Sequence, residues 1–297
     1  MIVWPESLKL IQANSKGILY ALVATGLFSV TAVMAKIAVA DYHVLQILFF
    51  RQIVVFLSSV PTLLKSYPES LKTHNIGTHV WRLSGAFVAL SFSIWAVAVL
   101  PLTTAVTLSF AQTFFVAILA AVVLNEVAGP HRVAAIVIGF IGVVVVMRPG
   151  LGGFLNIHAL IPLIGALGAA VAVVAVRKLT RTESTTTLLL YQSVFVGLLA
   201  GLPLFWLWVT PDFGDLIFLL SMGVVAAAGQ WIGIAALRLG EASVVSTIKY
   251  TDLLFAAVLG FMLFGEVPEK STILGATLIV GSALYLYQRE NRSKISK

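Results

Sequence analysis

The chain has 297 residues, of which 60% are hydrophobic and 10% are charged, and its formal net charge is +7. Soluble domains carry about 25% charged residues, and the mean hydropathy of this chain is +1.03, so the composition excludes an ordinary water-soluble protein. The absence of cysteine excludes disulfides, thiolate metal sites and thiol redox chemistry. These properties indicate a protein whose main solvent is the lipid bilayer.

About ten apolar segments follow one another along the chain, and each approaches the roughly 20 residues that a helix needs to cross a bilayer. The residues before them, 1–16, lack the apolar core and cleavage site of a signal peptide and are predicted to form a cytoplasmic tail. The connections are too short to hold a soluble domain. The predicted spans are 17–39, 43–64, 80–100, 103–124, 131–148, 157–178, 185–208, 215–238, 242–264 and 270–288.

The distribution of Lys and Arg predicts the orientation, because short cytoplasmic loops retain these residues. With the N-terminus inside, fourteen of them fall in cytoplasmic loops and tails, whereas Arg148 and Lys270 fall in outer loops. The basic residues are scattered over short loops and tails, which argues against a surface that binds nucleic acid. We therefore expect both termini in the cytoplasm and no nucleic-acid partner.

The first five spans and the last five repeat one another. Because five is an odd number, the second set enters the membrane in the opposite direction. We predict an all-α polytopic membrane protein with ten transmembrane helices in two inverted five-helix repeats (5+5), 17–148 and 157–288, joined by an external linker, 149–156, and followed by a basic cytoplasmic tail, 289–297. Identical residues recur at a nearly constant spacing in the two halves. The spacing is 140 positions for Glu126 and Glu266 and for Gln52 and Gln192, and it is 142 positions for Lys36 and Lys178 and for Pro61 and Pro203.

Two stretches of the chain carry a resemblance to a known family. In each, an apolar helix ends in a glutamate, 119–126 or 259–266, and a glycine-containing helix follows after a short turn, with Gly139 and Gly142 or with Gly275 and Gly281. This pattern resembles the EamA-type members of the drug/metabolite transporter superfamily. The chain departs from the family pattern at Asn125, where Gly is usual, and at Thr113 and Leu253, where proline is common.

The resemblance implies a ten-helix secondary carrier in the bacterial inner membrane. Members of this type export amino acids and other small metabolites, and they include the YddG-type exporters of aromatic amino acids. The resemblance therefore implies export of amino acids or related metabolites by alternating access, with two five-helix halves around a central cavity.

Polar residues inside the spans are the candidates for a substrate site, because a charge in mid-membrane costs about 2.5–3.5 kcal/mol on insertion scales. In the first span, Thr25, Ser29, Ala32 and Lys36 share one helix face that can line a pathway, although Lys36 could instead reach the lipid headgroups. In the second span, Arg51 could hold a substrate carboxylate or bond the carbonyls of a neighbouring helix.

The ninth span is the richest in polar groups. Lys249 and Asp252 are three positions apart and could neutralise each other on one helix face. Otherwise Lys249 could receive a carboxylate, while Asp252 could receive an amino group or carry a proton. The equivalent region near Gln112 is uncharged, so the halves are chemically unequal, and an asymmetric site suits a zwitterion.

Further candidates surround these charges. Ser93, Trp95, Gln112, Gln230, Trp231 and Tyr250 are predicted to line the substrate pathway, with midspan tryptophans either stacking on substrate or simply packing. Glu126 and Glu266, at helix ends, are predicted to act as gates or to fix turns. Pairs of glycines on one helix face, such as Gly165 with Gly168 and Gly229 with Gly233, predict close helix contacts.

We therefore predict a carrier for small metabolites, most plainly amino acids, rather than an enzyme. The chain contains no ATP-binding glycine-rich motif and no metalloprotease motif, so no cofactor or metal is expected, and a proton gradient is one energy source left open. One alternative is efflux of cationic drugs, and the cations Lys36, Arg51 and Lys249 argue against it. A second alternative is a non-transporting membrane sensor or scaffold. Either a monomer or a homodimer is compatible with the sequence.

Overall fold

The computed structural model describes residues 6–65, 67, 73, 75–123, 130–147, 157–179, 183–239 and 248–295, and within these ranges it contains helices and no strand. Six of the described helical segments are long and apolar enough to cross a membrane. Three further apolar helices, Val133–Met147, Thr186–Gly201 and Lys270–Leu286, are shorter. The predicted all-helical, multi-pass membrane architecture is confirmed, and the number of ten spans and the orientation of the termini stay predictions.

The described helices follow the apolar segments closely. Short 3₁₀ turns at Ile157–Ala159 and Lys249–Thr251 directly precede the α-helices that begin at Leu160 and at Asp252. The α-helices are α1 Glu6–Ala38, α2 Val44–Lys65, α3 Ile76–Val99, α4 Leu102–Ser109, α5 Gln112–Val123, α6 Pro130–Met147, α7 Leu160–Leu179, α8 Thr185–Gly201, α9 Leu204–Leu207, α10 Phe213–Leu239, α11 Asp252–Phe264 and α12 Lys270–Ile295.

One predicted boundary needs correction. The seventh span was expected to run to residue 208, but α8 ends at Gly201, because Pro203 has no backbone N–H to continue the helical hydrogen bonds and its ring clashes with a carbonyl of the preceding turn. At the other end of the chain, the apolar part of α1, Lys16–Ala38, agrees with the first predicted span, and the helix itself begins earlier, at Glu6, since neither Gly nor Pro interrupts residues 6–16. The predicted tail is thus helical from Glu6 onward.

The fourth and ninth predicted spans are not continuous α-helices. The fourth is divided between α4 and α5, and around the division Phe110, Ala111 and Phe114 donate their backbone N–H groups to carbonyls three residues earlier, as in a 3₁₀ turn. In the ninth, the 3₁₀ turn directly precedes α11. Gln112, which begins α5, and Asp252, which begins α11, are 140 positions apart, so both repeats change helix type at the same place without a proline.

Side-chain hydroxyls bond backbone carbonyls at both of these turns. Ser109 donates to the carbonyl of Val106 at 2.7 Å, and Thr251 donates to the carbonyl of Ile248 at 2.7 Å. Such bonds to a carbonyl one turn earlier compete with the helical hydrogen bond and bend a helix.

Helix contacts are nearly symmetric between the two halves. Under the sequence equivalence, α1 corresponds to α7 and α3 to α10, and the structure packs α1 along α10 and α3 along α7. The equivalent pairs α2 with α8 and α6 with α12 also pack against each other. Phe110 and Tyr250, which are equivalent positions, place their ring centroids 5.1 Å apart. The two halves therefore meet around a local pseudo-twofold axis that passes near these rings.

Glycines bring the helices of this interface into backbone contact. A Cβ added to Gly85 of α3 would lie 2.6 Å from the carbonyl oxygen of Gly168 of α7, and one added to Gly168 would lie 2.8 Å from that of Gly85. Between α6 and α12, a Cβ on Gly275 would lie 2.6 Å from the carbonyl oxygen of Gly142. Small residues at these points allow the close helix packing that the sequence predicted.

Candidate functional site

A cavity of about 280 Å³ lies among the helices near the breaks of α4–α5 and α11. Its walls come from α1, α3, α4 and α7, with single residues from α2, from the start of α5, from α10 and from α11. The volume is near the lower end of the roughly 300–1,000 Å³ typical of small-molecule sites. Of the residues predicted to bind substrate, the cavity brings together Arg51, Ser93, Gln112 and Asp252.

Arg51 of α2 provides the positive charge of this cavity. Its Nε is buried without a hydrogen-bond partner among the described residues. The α-carbon of Arg51 packs where Gly223 of α10 leaves room, since a Cβ on Gly223 would lie 3.4 Å from it. The guanidinium of Arg51 therefore lies at the cavity wall with at least one N–H donor that no described protein group accepts.

Asp252 of α11 provides the negative charge. Ser29 of α1 donates a hydrogen bond to Asp252 Oδ1. Within the described part of the chain, Asp252 forms no ion pair with either Arg51 or Lys249, so the predicted neutralisation of Lys249 by Asp252 is absent from this conformation. An acidic side chain in the first turn of α11 is also favoured by the helix dipole. The cavity thus presents a guanidinium and a carboxyl group that form no ion pair with each other.

The predicted gate residue Glu266 contacts the predicted pathway residue Lys36 at the end of α1. Lys36 Nζ forms an ion pair with Glu266 Oε1 and donates to the carbonyl of Leu100 at 2.9 Å. Glu266 Oε2 accepts the backbone N–H of Leu102 at 2.7 Å, an N–H that begins α4 and has no partner within that helix. We call this group, Lys36, Glu266, Leu100 and Leu102, the α1–α11 latch.

The latch lies next to the cavity. Ala35, which precedes Lys36, and Ala105, one turn from Leu102, both line the cavity wall. The latch joins the ends of α1, α3 and α11 to the start of α4. The equivalent glutamate of the first half, Glu126, lies outside the described residues.

The other candidates lie outside the cavity wall in this conformation. Trp95 is 44% exposed and contacts Phe92, with 5.5 Å between ring centroids. Trp231 donates its indole N–H to Ser58 Oγ at 3.3 Å, whereas Gln230 is half-buried on α10 and Lys249 is exposed. Tyr250 packs against Phe110 at the pseudo-twofold axis. Roles in substrate binding stay predictions for all of these residues.

Several wall residues were not among the predicted binding residues. Phe28, Thr31 and Met222 line the cavity together with small side chains of α3 and α7. Phe28 and Met222 carry no polar signal, and the hydroxyl of Thr31 bonds the carbonyl of Leu27 in its own helix. The sequence stripe through Ser29 and Ala32 points to the correct face of α1 without identifying Phe28. Phe28 packs where Gly229 of α10 leaves room, because a Cβ on Gly229 would lie 3.4 Å from its ring.

The chemical difference between the halves lies at equivalent positions. Asp252 is equivalent to Gln112, and Ser29 is equivalent to Ala169, in each case 140 residues away. Asp252, Gln112 and Ala169 all line the cavity. One side of the cavity therefore has a carboxylate supported by a hydroxyl, and the opposite side has a neutral amide beside a methyl group.

Two further polar contacts join helices of opposite halves. His79 of α3 bonds Glu183 before α8, and Tyr42 before α2 bonds Asp215 of α10. Because Tyr42 donates to a carboxylate, which favours its neutral form, the pKa of Tyr42 is raised to about 12. His79 and Asp215 begin equivalent helices, and Glu183 and Tyr42 precede equivalent helices, so these contacts are a matched pair.

Comparison with known proteins supplies the family context. The model of the EamA-like transporter family matches residues 15–148 and again residues 156–288. The chain is 27% identical to an S-adenosylmethionine uptake transporter of Rickettsia prowazekii, over 95% of each chain. It is 29% identical to a riboflavin transporter of Vibrio cholerae, over 92% of this chain and 87% of that one.

Two other matches extend this picture. The chain is 28% identical to the pseudopaline exporter CntI of Pseudomonas aeruginosa, over 91% of this chain and 95% of that one. A solved crystal structure that is 18% identical superposes with a TM-score of 0.62 over 94% of this chain and 99% of that one. The structural match shows a shared fold, since the sequence identity is low.

Proposed function

The chain belongs to the EamA-like transporter family and is a small-molecule membrane transporter rather than an enzyme, and on this premise we propose that it exports amino acids and related amphoteric metabolites across the bacterial inner membrane. The observation that carries the proposal is the pair Arg51 and Asp252, which line one cavity without neutralising each other. A molecule with both a carboxylate and an ammonium group complements both charges.

Features of the relatives support a substrate of this chemistry. S-adenosylmethionine and pseudopaline, named for two of the relatives, are both amino-acid derivatives, whereas riboflavin is not. Arg51 in the cavity wall disfavours the alternative of cationic-drug efflux, because a buried cation repels another cation. The YddG-type preference for aromatic amino acids stays a prediction.

The symmetric helix contacts and the two separate matches to the family model support two inverted repeats, 17–148 and 157–288. During transport, the end of the cavity formed by one repeat closes as the end formed by the other opens. Under the predicted topology, the α1–α11 latch lies at the external end of the cavity. We assign the described conformation as closed to the outside, with Glu266 as the external gate. Opening to the outside then requires the ends of α1 and α11 to separate.

Transport by purified protein in proteoliposomes tests the proposal. We expect counterflow of labelled neutral amino acids in the unmodified carrier and measure it with and without an imposed proton gradient. Riboflavin serves as the non-zwitterionic comparison. Ligand binding without flux of any compound would instead favour the sensor alternative.

Charge variants test the assigned residues. Arg51→Ala and Asp252→Asn are each expected to reduce apparent affinity by about 10- to 100-fold, the effect of losing a charge-assisted hydrogen bond. Lys65→Ala, which removes a cation from the exposed end of the same helix as Arg51, is the matched control and should leave transport unchanged. Full transport by both cavity variants would contradict the site.

A further inference from the structure

One part of the cavity wall formed by α3 and α7 consists of very small side chains, whereas Leu90, Ile94 and Val97 of α3 and Pro162 of α7 line the rest of it. Ala89 of α3 and Gly165, Ala166 and Ala169 of α7 line the cavity. Ala89 and Ala169 are half-buried, and neither helix contributes a charge to the cavity lining. The charged groups Arg51 and Asp252 come from α2 and α11, so the cavity has a charged part and an uncharged part.

Close packing between α3 and α7 prevents this part of the wall from moving away from the cavity. Gly85, one helical turn from Ala89, and Gly168, the residue before Ala169, hold the backbones of α3 and α7 in contact: a Cβ added to either glycine would lie less than 3 Å from the carbonyl oxygen of the other. Nearer the cavity, a Cβ on Gly165 would lie 3.2 Å from the Cβ of Phe92. A larger side chain at position 89 or 169 would therefore extend into the cavity instead of displacing a helix.

We infer that the Ala89–Ala169 wall is the subsite for the uncharged side chain of the substrate and that it limits the size of that side chain. The inference rests on the proposed function: the amphoteric group of the substrate lies at Arg51 and Asp252, and the remainder extends toward α3 and α7. Arg51, with its unpartnered Nε, is an independent sign that the cavity takes a ligand. Methyl groups on this wall leave the space that an apolar or aromatic substrate side chain fills.

Transport of a size series measures the limit. Alanine, methionine, phenylalanine and tryptophan share the amphoteric group and differ in side-chain volume. In Ala169→Leu and in Ala89→Leu we expect flux of phenylalanine and tryptophan to fall about tenfold or more relative to alanine, as overpacking of a rigid site requires. An equal fall for all four substrates, or no fall for any, would overturn the inference.

A second readout does not depend on the identity of the substrate. The chain has no cysteine, so Ala169→Cys introduces a single thiol whose reaction with water-soluble methanethiosulfonate reagents can be followed directly. We expect Ala169→Cys to react with the ethylammonium reagent and more slowly with bulkier reagents of the same charge. The matched control is Leu167→Cys on the outer face of the same helix, where Leu167 is 43% exposed and is expected to contact lipid.

Adding Ala89→Leu to Ala169→Cys is expected to slow even the smallest reagent about tenfold, because both positions border the same space. The inference would be overturned if the thiol at position 169 reacted as fast as the thiol at position 167, or if Ala89→Leu left the reaction rate at position 169 unchanged. If the unmodified carrier moves no amino acid while these thiol results hold, the proposed substrate class fails and the size-limiting wall stands.

Discussion

Lys36 at the end of α1 forms an ion pair with Glu266, which follows α11, although 230 residues separate them along the chain. Glu266 also accepts the first backbone N–H of α4, so one carboxylate holds three helix ends together. Gly265 permits this placement, because its φ of 66° turns the chain at the end of α11 in a conformation that glycine adopts without strain.

Breaking the latch should favour opening of the external end. Lys36→Met removes a charge-assisted pair, so we expect the open fraction to rise by roughly tenfold. The measurement is labelling of Ala35→Cys, beside the latch, by an impermeant thiol reagent added outside right-side-out vesicles. Lys270→Met, at an exposed position of α12, is the control, and equal labelling in both variants would refute the gate assignment.

Loss of Glu183 should destabilise the protein more than its conversion to an amide. The side chains of His79 and Glu183 are 3% and 2% exposed, and Thr73 also donates to Glu183. Removing one partner of such a buried pair costs about 3–5 kcal/mol, so Glu183→Ala should lower the melting temperature in detergent. Glu183→Gln keeps a hydrogen-bonding group and should cost less, and the reverse order would show that the contact is not stabilising.

Tyr42 should stay protonated to unusually high pH. Its pKa of about 12 lies above that of a free tyrosine, about 10, so the stability that this contact contributes is fully present below pH 10 and is lost as the pH rises through 12. Asp215→Asn should lower the pKa of Tyr42 toward the ordinary value. Ultraviolet titration of the unmodified protein and of Asp215→Asn, each with the spectrum of its own Tyr42→Phe variant subtracted, measures the difference. Coincident titration curves would exclude the carboxylate of Asp215 as the cause of the raised pKa.

The glycine contact between α3 and α7 provides a matched pair of substitutions on one helix. Gly85→Ala places a Cβ 2.6 Å from a backbone oxygen, so it should destabilise the fold by at least about 1–3 kcal/mol. At Gly77 an added Cβ meets nothing within 4 Å, and Gly77→Ala should be neutral or stabilising by up to about 1 kcal/mol. Thermal unfolding of both variants checks this, and equal melting temperatures would contradict the packing.

Hydropathy and residue spacing predicted much of the architecture. The apolar segments located most helices to within a few residues, and the 140-residue spacing anticipated that equivalent helices pack in equivalent ways. The division between α4 and α5 was not anticipated, since no proline or glycine marks it. Ser109 bonds a backbone carbonyl at the division, but Ser58 and Ser193 make the same kind of bond within continuous helices, so a hydroxyl in the sequence does not mark such a place.

The candidate site was only partly predictable. Arg51, Ser93, Gln112 and Asp252 were recognised because polar groups in hydrocarbon are costly and therefore few. Phe28 and Ala169 were not, because apolar residues on a cavity wall have the same composition as those that face lipid. The structure pairs Lys36 with Glu266, and its predicted place on the substrate pathway stays a prediction.

The sequence by itself determined the solvent of this protein, the positions of its apolar helices and its doubled organisation, because hydropathy and repeat spacing are local or periodic properties of a chain. Only the tertiary structure decided which charges are neutralised and which remain open to a ligand. Ser29 meets Asp252 across 223 residues, and Lys36 meets Glu266 across 230 residues, because helix packing, and not sequence separation, sets the distance between side chains on different helices.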